Sequence, residues 1–459
     1  MKKSFITIAV VVILACAMVF SASAASFEYL ADDLNALGLF RGTDAGYDLD
    51  RAPNRGEGLV MLIRLLGLEE EALAFEGESP FGDVPAWLAP YAAYAFENKL
   101  TTGTSDTTFT PGGVCSAQMY VTFVLRALGY SDAEGGDFTY AGALDFGKSV
   151  GIIDDILTGG DFLRDQMVAV SYLALSAAPK GGEFETLFEK LAAAGALAEK
   201  GIDALAAKQA LFAELKNMAA ALIAEQGIAV SLKAGVDPGS MGAILAGAGF
   251  DLNIDIDMDM SLIGGDDISA ALGILLTRSG EDREIDIYLR DGTLYTNMDG
   301  EKSKTDFSAD AGEAAAPLEM LSAADAGRLS SFSYLISGID KGAEDGLTVY
   351  SIKASDALTD VVMDMALGFL VSAALGDSLP EGVDLGALNA SLTALDIKLY
   401  SDAGGMLSKF TVYIEMSLGA DIGGLPIKLT LKVTCDAEVT ATGGDVVIEF
   451  PDDLDEYGT

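Results

Sequence analysis

The spacing of apolar residues changes near residue 229, and this change constrains the fold more than any other feature. Before it, residues 183–228 are rich in Ala, Leu, Glu and Lys and nearly lack β-branched residues, which favours helix. After it, apolar residues recur at every second position, as at Phe410, Val412 and Ile414, which is typical of strands with one buried face. Helices and strands segregated along 459 residues predict a multidomain α+β protein.

The region after residue 229 predicts a curved antiparallel sheet. Residues 283–290 and 293–298 have strand patterns, and Asp291-Gly292 between them predicts a type I′ turn. Residues 251–259 alternate acidic or amide side chains with apolar ones. An EF-hand calcium loop would need Gly at Ile256 and Glu at Leu262, so the spacing predicts one strand with an acidic face.

Two segments, 312–327 and 355–376, have helical patterns and are expected to cover one face of the sheet. The order of strands, helices and long hairpins, with the hairpin from Tyr288 to Gly300, resembles the LolA/LppX-type lipoprotein-carrier fold. The resemblance implies an apolar ligand held between sheet and helices. The alternative is that helices and sheet fill each other.

Residues 26–180 contain an internal repeat of turn-rich loops and short apolar helices. Arg64 and Arg126 occupy the same place in two copies, three residues before a glycine that suits the left-handed position after a helix. The matching stretches are 37–44 (LGLFRGTD) with 98–104 (NKLTTGT) and 59–67 (LVMLIRLLG) with 122–129 (TFVLRALG), and a weaker third copy comprises 151–153 (GII) and 162–167 (FLRDQM).

The repeats resemble the S-layer homology (SLH) family, in which a repeat with an F-x-D-V start, an F-x-P loop and a T-R-A-E helix start occurs three times. The second copy carries FGDV at 81–84 and FTP at 109–111; NRGE at 54–57 and LRDQ at 163–166 stand in the T-R-A-E place. The resemblance covers about residues 27–178. It implies an all-α three-repeat module whose grooves bind secondary cell-wall polysaccharide, often pyruvylated.

Two arginines, Arg55 and Arg164, stand at the T-R-A-E helix starts. A guanidinium there suits a carboxylate, because it donates two parallel hydrogen bonds and the helix N-terminus adds positive potential. The alternative is a solvated arginine that pairs locally with Glu57 or Asp165. The polysaccharide-binding residues that the resemblance implies are Arg55, Glu57, Asp83, Trp87, Gln118, Arg164 and Gln166.

Asp83 and Trp87 also have structural interpretations. Asp83 would cap a helix that begins near Pro85, and Trp87 would anchor that helix in the core. The second copy departs from the family, because CSAQ at 115–118 lacks the arginine. If Ser116 is aligned with Arg55, the helix of the second copy also has one extra residue before its glycine. Because the arginine is absent, at least one groove is expected to be degenerate.

The N-terminus has the features of an export leader. Lys2 and Lys3 precede an apolar stretch at 5–20 and the A-x-A motif at 22–24, which predicts cleavage after Ala24 or Ala25. The alternative is lipidation at Cys16, within the loose lipobox ILAC. No later stretch reaches the roughly 18–20 apolar residues of a membrane span, so none is expected after cleavage.

Composition excludes several function classes. The net charge of -42 argues against nucleic-acid binding, and the absence of histidine removes histidine triads and histidine metal sites. Cys115 and Cys435, the cysteines after the leader, stand 320 positions apart, which makes a disulfide framework unexpected. No phosphate loop or nucleophile motif stands out. No catalytic residue, cofactor or metal site is predicted.

Together these features predict a secreted protein anchored to cell-wall polysaccharide at the cell surface and displaying a β-rich domain. The alternatives are a carrier of lipid or another apolar ligand with a degenerate SLH region, and a wall-displayed hydrolase. The predicted organisation is a signal peptide (1–25), an SLH module (26–180, with repeats at about 26–74, 75–135 and 136–180), a helical linker (181–228) and a β-rich domain (229–459).

Overall fold

A computed structural model describes residues 27–42, 46–158, 160–225, 227–239, 242, 253–263, 269–278, 280–306, 333–356, 358–359, 363, 389–422 and 425–458. The α+β prediction is confirmed, because helices occupy the N-terminal half and one antiparallel sheet follows them. The predicted leader and segment 312–327 lie outside the described residues, as does most of segment 355–376. Among the residues described, no helix has the length and hydropathy needed to cross a membrane.

The short helices pack together, and one long helix follows them in the chain. Their apolar residues share one core, which runs from Phe27 to Leu205 along the chain. The helices are α1 (Glu28–Ala36), α2 (Arg55–Leu65), α3 (Glu69–Leu73), α4 (Ala89–Glu97), α5 (Ala117–Ala127), α6 (Ala143–Val150), α7 (Asp155–Thr158), α8 (Arg164–Ser176), α9 (Leu187–Ala193) and α10 (Glu199–Ala224).

Helices α2 and α5 are equivalent elements of the first two repeats. Each has 11 residues, and each begins after a capping side chain, Asn54 or Ser116, that accepts a backbone N–H. Gly67 and Gly129 follow them with φ of 67° and 93°, which confirms the predicted glycine ends. Because the two N-caps align, the expectation of one extra residue in the second helix is wrong.

The sheet has 11 strands in the order β6-β5-β4-β3-β2-β1-β11-β10-β9-β8-β7, and every pairing within it is antiparallel. Asp291 and Gly292 both have positive φ, 50° and 69°, which confirms the type I′ turn between β4 and β5. The strands are β1 (Gly227–Asp237), β2 (Ile254–Ile263), β3 (Ser269–Arg278), β4 (Glu281–Arg290), β5 (Thr293–Met298), β6 (Glu301–Asp306), β7 (Ile336–Glu344), β8 (Leu347–Ala354), β9 (Asn389–Ser401), β10 (Leu407–Ile422) and β11 (Leu425–Thr442).

The two faces of the sheet differ in polarity. Ile256 and Met258 on β2, Met416 on β10 and Leu431 on β11 belong to one buried apolar cluster. The aspartates that alternate with these residues along β2 are exposed. The prediction of a strand with an acidic face is therefore confirmed, and no cluster of three or more candidate metal ligands occurs among the described residues.

Helix α10 contacts both halves of the molecule. Lys208 forms an ion pair with Asp33 of α1 at 3.0 Å. One turn and a half further on, Glu214 accepts hydrogen bonds from Lys341 (2.5 Å) and Tyr350 (2.7 Å) of strands β7 and β8. Apolar residues of α10 (Leu211, Phe212 and Leu215) pack with Ile339, Tyr350 and Ile352 of the same strands.

The chain also returns to the helices just before β7. Tyr334 has no exposed surface and lies in the helical core with Leu335. Its ring meets Phe27 edge to face, with 5.4 Å between the centroids, and its hydroxyl donates to Asp154 at 2.8 Å. Its carbonyl oxygen accepts a hydrogen bond from Tyr29. Residues from the C-terminal half therefore complete the core of the helical half.

Candidate functional site

Helix α2 begins against a loop of the second repeat. The backbone N–H of Arg55 donates to the carbonyl of Gly113 at 2.7 Å, and that of Gly56 donates to Pro111 at 2.9 Å. These bonds satisfy two of the N–H groups that a helix start leaves without an intrahelical partner. They also fix the position from which the Arg55 side chain projects.

Helix α8 begins against a loop of the first repeat in the same way. Arg164 N–H donates to the carbonyl of Arg51 at 2.9 Å, and Asp165 N–H donates to Leu49 at 3.1 Å. In the first loop the acceptors Arg51 and Leu49 stand three and five residues before Asn54, the N-cap of α2. In the second loop the acceptors Gly113 and Pro111 stand three and five residues before Ser116, the N-cap of α5. Arg55 and Arg164 therefore occupy equivalent places in two related contacts.

The two loops share an unusual backbone. Asp48 and Thr110, one residue before these acceptor segments, have φ of 55° and 58°. A left-handed conformation is uncommon for residues other than glycine, and a β-branched threonine is strained by it. Tyr47 and Phe109 precede them, so Tyr47 corresponds in position to Phe109 of the FTP sequence at 109–111.

Asp83 holds the second of these loops in place. Its carboxylate accepts hydrogen bonds from the backbone N–H groups of Phe109 (2.8 Å) and Thr110 (2.7 Å), which lower the pKa of Asp83. The prediction that Asp83 caps a helix near Pro85 is wrong, because α4 begins at Ala89 and no side chain caps it. Asp83 therefore shapes the loop against which Arg55 is packed.

The Arg55 guanidinium is enclosed by aromatic rings. Its Cζ lies 4.6 Å from the ring centroid of Phe109 and 5.2 Å from that of Phe123, and Nη2 is 3.4 Å from the Thr101 hydroxyl. Only 6% of the residue is exposed, and Nε makes no hydrogen bond within the described part of the chain. Burial lowers the pKa of Arg55, yet an arginine remains charged at neutral pH.

Arg164 has a similar environment built from the first repeat. Its Nε donates to the carbonyl of Tyr47 at 3.1 Å, and its Cζ lies 5.7 Å from the ring centroid of Phe40. The residue is 8% exposed, and burial lowers its pKa, partly offset by the charge of Glu57. Phe40 and Thr101 occupy corresponding places after the left-handed residues Gly38 and Lys99.

Neither arginine pairs with the acid expected as its local partner. Glu57 is bound by Arg51, at 2.6 and 2.9 Å, and Asp165 accepts the backbone N–H of Phe27. The alternative of solvated arginines in local ion pairs is therefore wrong. What the structure holds instead is two buried cations that form no ion pair among the described residues.

Glu57 and Gln166 have structural contacts at the same two helix starts. Glu57 and Asn54 exchange hydrogen bonds of 2.9 Å in a capping box, and Gln166 accepts from Leu163 N–H at 2.9 Å. Burial opposes the ionisation of Glu57, but the hydrogen bonds from Arg51 and Asn54 outweigh it and lower its pKa.

The third helix start, at α5, has no arginine. Ala117 follows the N-cap there, in the place of Arg55. The T-R-A-E motif aligns Gln118 with Glu57, but the N-caps align it with Gly56, one position earlier. The side-chain amide of Gln118 donates to the carbonyl of Tyr140. Tyr140 is 48% exposed, so Gln118 is bonded to the backbone of an exposed aromatic residue.

Trp87 is 56% exposed, so its assignment as a core anchor is wrong. The next residue, Leu88, is fully buried and would meet a Cβ built on Gly56 at 3.0 Å. Leu88 therefore lies beside the first turn of α2, and the exposed Trp87 is its neighbour in the chain. A ring in that position is available to stack on a sugar.

Several residues around the arginines were not predicted from the sequence. A strict alignment of the loops would have placed Tyr47 with Phe109, because both stand seven residues before an N-cap. The residues missed are Phe40, Tyr47, Arg51, Thr101, Phe123 and Tyr140.

No protein-family model matches the chain. Over 148 residues, 30% of this chain, it is 28% identical to the middle cell wall protein of Brevibacillus brevis. Over 109 residues, 23% of this chain, it is 30% identical to a surface layer protein of Brevibacillus choshinensis. These matches span 14% and 10% of the two relatives. A solved structure, LprF from Mycobacterium bovis, aligns with 52% of this chain and 96% of its own, at 13% identity and a TM-score of 0.25.

Proposed function

We propose that this chain is a cell-surface protein whose helical half binds carboxylate groups of a cell-wall polysaccharide. The observation that carries the proposal is the pair of equivalently placed, buried guanidiniums of Arg55 and Arg164. The names of the two Brevibacillus relatives, a middle cell wall protein and a surface layer protein, support the same location.

The chemistry of the two arginines suits a small anionic group. A buried charge is unfavourable unless it is paired, so a ligand carboxylate would relieve the desolvation of the guanidinium. The first backbone N–H groups of α2 and α8 already bond loop carbonyls. The side chain is therefore the donor that the ligand would meet, as a fork suited to two parallel hydrogen bonds.

The overall charge bears on the strength of this binding. A net charge of -42 repels an acidic glycan at long range. Long-range repulsion is screened by salt, whereas contacts with a buried group are screened much less. We therefore expect binding to persist at moderate salt.

The test is co-sedimentation of the full mature chain with purified cell walls, before and after extraction of the secondary polysaccharide. We expect binding that extraction removes, and that Arg55→Ala combined with Arg164→Ala weakens at least about tenfold, as for hydrogen bonds to charged groups. Arg283→Ala combined with Arg290→Ala is the control, because it removes the same charge from exposed positions on the sheet. Unchanged binding by a folded Arg55/Arg164 variant would refute the proposal.

For the sheet we propose a second role, the binding of an apolar ligand on its buried face. The observation that favours it is the number of methionines in this cluster: Met258, Met260, Met298, Met363 and Met416. Methionine side chains adapt to irregular apolar shapes.

A fatty-acid probe with environment-sensitive fluorescence tests this second role in the full chain. We expect saturable binding that Ile414→Glu abolishes while circular dichroism shows the fold intact. Glu415→Gln on the opposite face is the control. The absence of both saturable fluorescence and co-purified lipid would contradict the role.

A further inference from the structure

Arg51 joins the loop that packs against Arg164 to helix α2. Its Nη1 and Nη2 donate to the carboxylate of Glu57 at 2.9 and 2.6 Å, and its Nε donates to the carboxylate of Asp48. Glu57 lies in the first turn of α2, and Asp48 lies in the loop, three residues before Arg51. One planar guanidinium therefore ties two segments together. A lysine would not reproduce this arrangement, because its ammonium group is a single point charge.

The same loop supplies two acceptors to Arg164. The carbonyl of Arg51 accepts the backbone N–H of Arg164 at 2.9 Å, and the carbonyl of Tyr47 accepts its Nε at 3.1 Å. Asp48 lies between these two acceptors in the chain and has a φ of 55°, which is uncommon for residues other than glycine. Because the hydrogen bond from Arg51 to Asp48 spans this turn, it holds both carbonyls in the direction of Arg164.

The equivalent loop of the second repeat is held by a different side chain. Gly113 stands in the place of Arg51, three residues before the N-cap. Asp83 holds that loop instead, by accepting two of its backbone N–H groups. The Nε of Arg55 makes no hydrogen bond within the described part of the chain, whereas the Nε of Arg164 has the loop carbonyl. The loops at the two arginines therefore have separate supports.

We propose that Arg51 is a positioning residue for Arg164. By holding the loop, it keeps the Nε of Arg164 on the carbonyl of Tyr47 and thereby sets the orientation in which the rest of the guanidinium meets a ligand carboxylate. Arg55 does not depend on Arg51 in this way, since Asp83 supports its loop. The inference rests on the proposed binding of carboxylates at Arg164, and it states that the two sites can be weakened separately.

The first test is independent of wall binding and follows the Nε–H proton of Arg164. Nuclear magnetic resonance of the full mature chain with isotopically labelled arginine measures its exchange with water. Arg51→Ala and Arg51→Lys should each accelerate this exchange at least about threefold, as for the loss of one hydrogen bond. Arg41→Ala is the matched control, because it removes the same charge from an exposed arginine of the first repeat, and it should leave the exchange unchanged.

The second test measures the affinity for wall polysaccharide with one arginine site at a time. In the Arg55→Ala background, where Arg164 remains, Arg51→Ala and Arg51→Lys should each weaken binding at least about threefold. In the Arg164→Ala background these substitutions should add little. Asp83→Asn should show the reverse pattern, because it loosens the loop at Arg55. Circular dichroism should show that each variant is folded.

Three results would overturn the proposal. They are unchanged Nε–H exchange in Arg51→Ala, equal weakening by Arg51→Ala in both backgrounds, and full binding by Arg51→Lys, which would mean that only the charge of Arg51 matters. A wild-type chain that does not bind the wall would instead refute the proposed function, and the exchange measurement would still decide whether Arg51 positions Arg164.

Discussion

The helical half and the sheet are held together in different ways. Each strand contacts the strands next to it in the ladder, and neighbouring positions on a strand alternate between an apolar face and a polar one. The helical half depends on contacts between distant loops and helix starts, such as Arg55 with Gly113 and Arg164 with Arg51. The alternation of apolar and polar residues therefore specifies the sheet, whereas contacts between particular residues specify the helical half.

This difference explains where the candidate chemistry lies. A buried cation needs specific contacts from several segments of the chain. The loops packed against the starts of α2 and α8 provide such contacts at two positions. The acidic face of the sheet is spread over many exposed positions, which the solvent stabilises individually.

The largest expected effect tests whether the helical half depends on the C-terminal half. Tyr334→Ala removes a fully buried ring and its hydrogen bond to Asp154, so we expect a loss of about 3–5 kcal/mol in the free energy of unfolding. Urea unfolding followed by circular dichroism measures it. Tyr140→Ala, at an exposed ring, should change stability by only about 0.5 kcal/mol. Similar losses for both variants would mean that Tyr334 is not part of the helical core.

The second prediction tests the independence of the sheet. Leu431→Ala should cost about 2–5 kcal/mol, because Leu431 is fully buried in the sheet cluster. Hydrogen exchange should increase in β1 and β10, which pair with β11, more than in α2 and α5. The neighbouring exposed Lys432→Ala is the control. An equal increase in exchange throughout the helices would show that the two halves unfold together.

The third prediction separates two equivalent positions of the repeats. Gly67→Ala places a Cβ 2.5 Å from that of Ala196, whereas at Gly129 the nearest atom, Cβ of Lys180, is 3.4 Å away. Both substitutions impose a left-handed conformation on alanine at about 1–2 kcal/mol. We expect Gly67→Ala to lower the melting temperature further than Gly129→Ala. The opposite order would contradict the packing of Gly67 on the segment before α10.

The smallest effect concerns the acidic face. Lys233 and Asp257 form an ion pair at 3.1 Å between exposed side chains. A double-mutant cycle of Lys233→Ala and Asp257→Ala should give a coupling energy below about 1 kcal/mol. A larger coupling energy would show that specific contacts hold this face, as they hold the helical half.

Local structure was predictable from the sequence wherever adjacent residues determine it. The Asp291-Gly292 turn, the alternation along β2 and the glycine ends of α2 and α5 follow from conformational preferences and periodicity. Contacts that join distant segments were not predictable in this way. The insertion of Tyr334 beside Phe27 and the burial of Arg55 under Phe109 depend on the assembled tertiary structure.

The errors at the candidate site have particular causes. Matching CSAQ to the T-R-A-E motif shifted Gln118 by one place, whereas the N-caps Asn54 and Ser116 fix the register. Of the two interpretations of Trp87, the core anchor depends on the large apolar area that an aromatic side chain can bury. Leu88 fills that role instead and leaves the indole at the surface.

The proposed wall binding requires the two guanidiniums of Arg55 and Arg164 to contact carboxylates of the polysaccharide. The most direct test is the dissociation constant of the full mature chain for purified polysaccharide, before and after carbodiimide coupling of its carboxylates to a neutral amine. We predict at least about tenfold weaker binding after coupling, and equally weak binding of both forms by the Arg55→Ala/Arg164→Ala variant. Equal affinity of the wild-type chain for both forms would contradict the account.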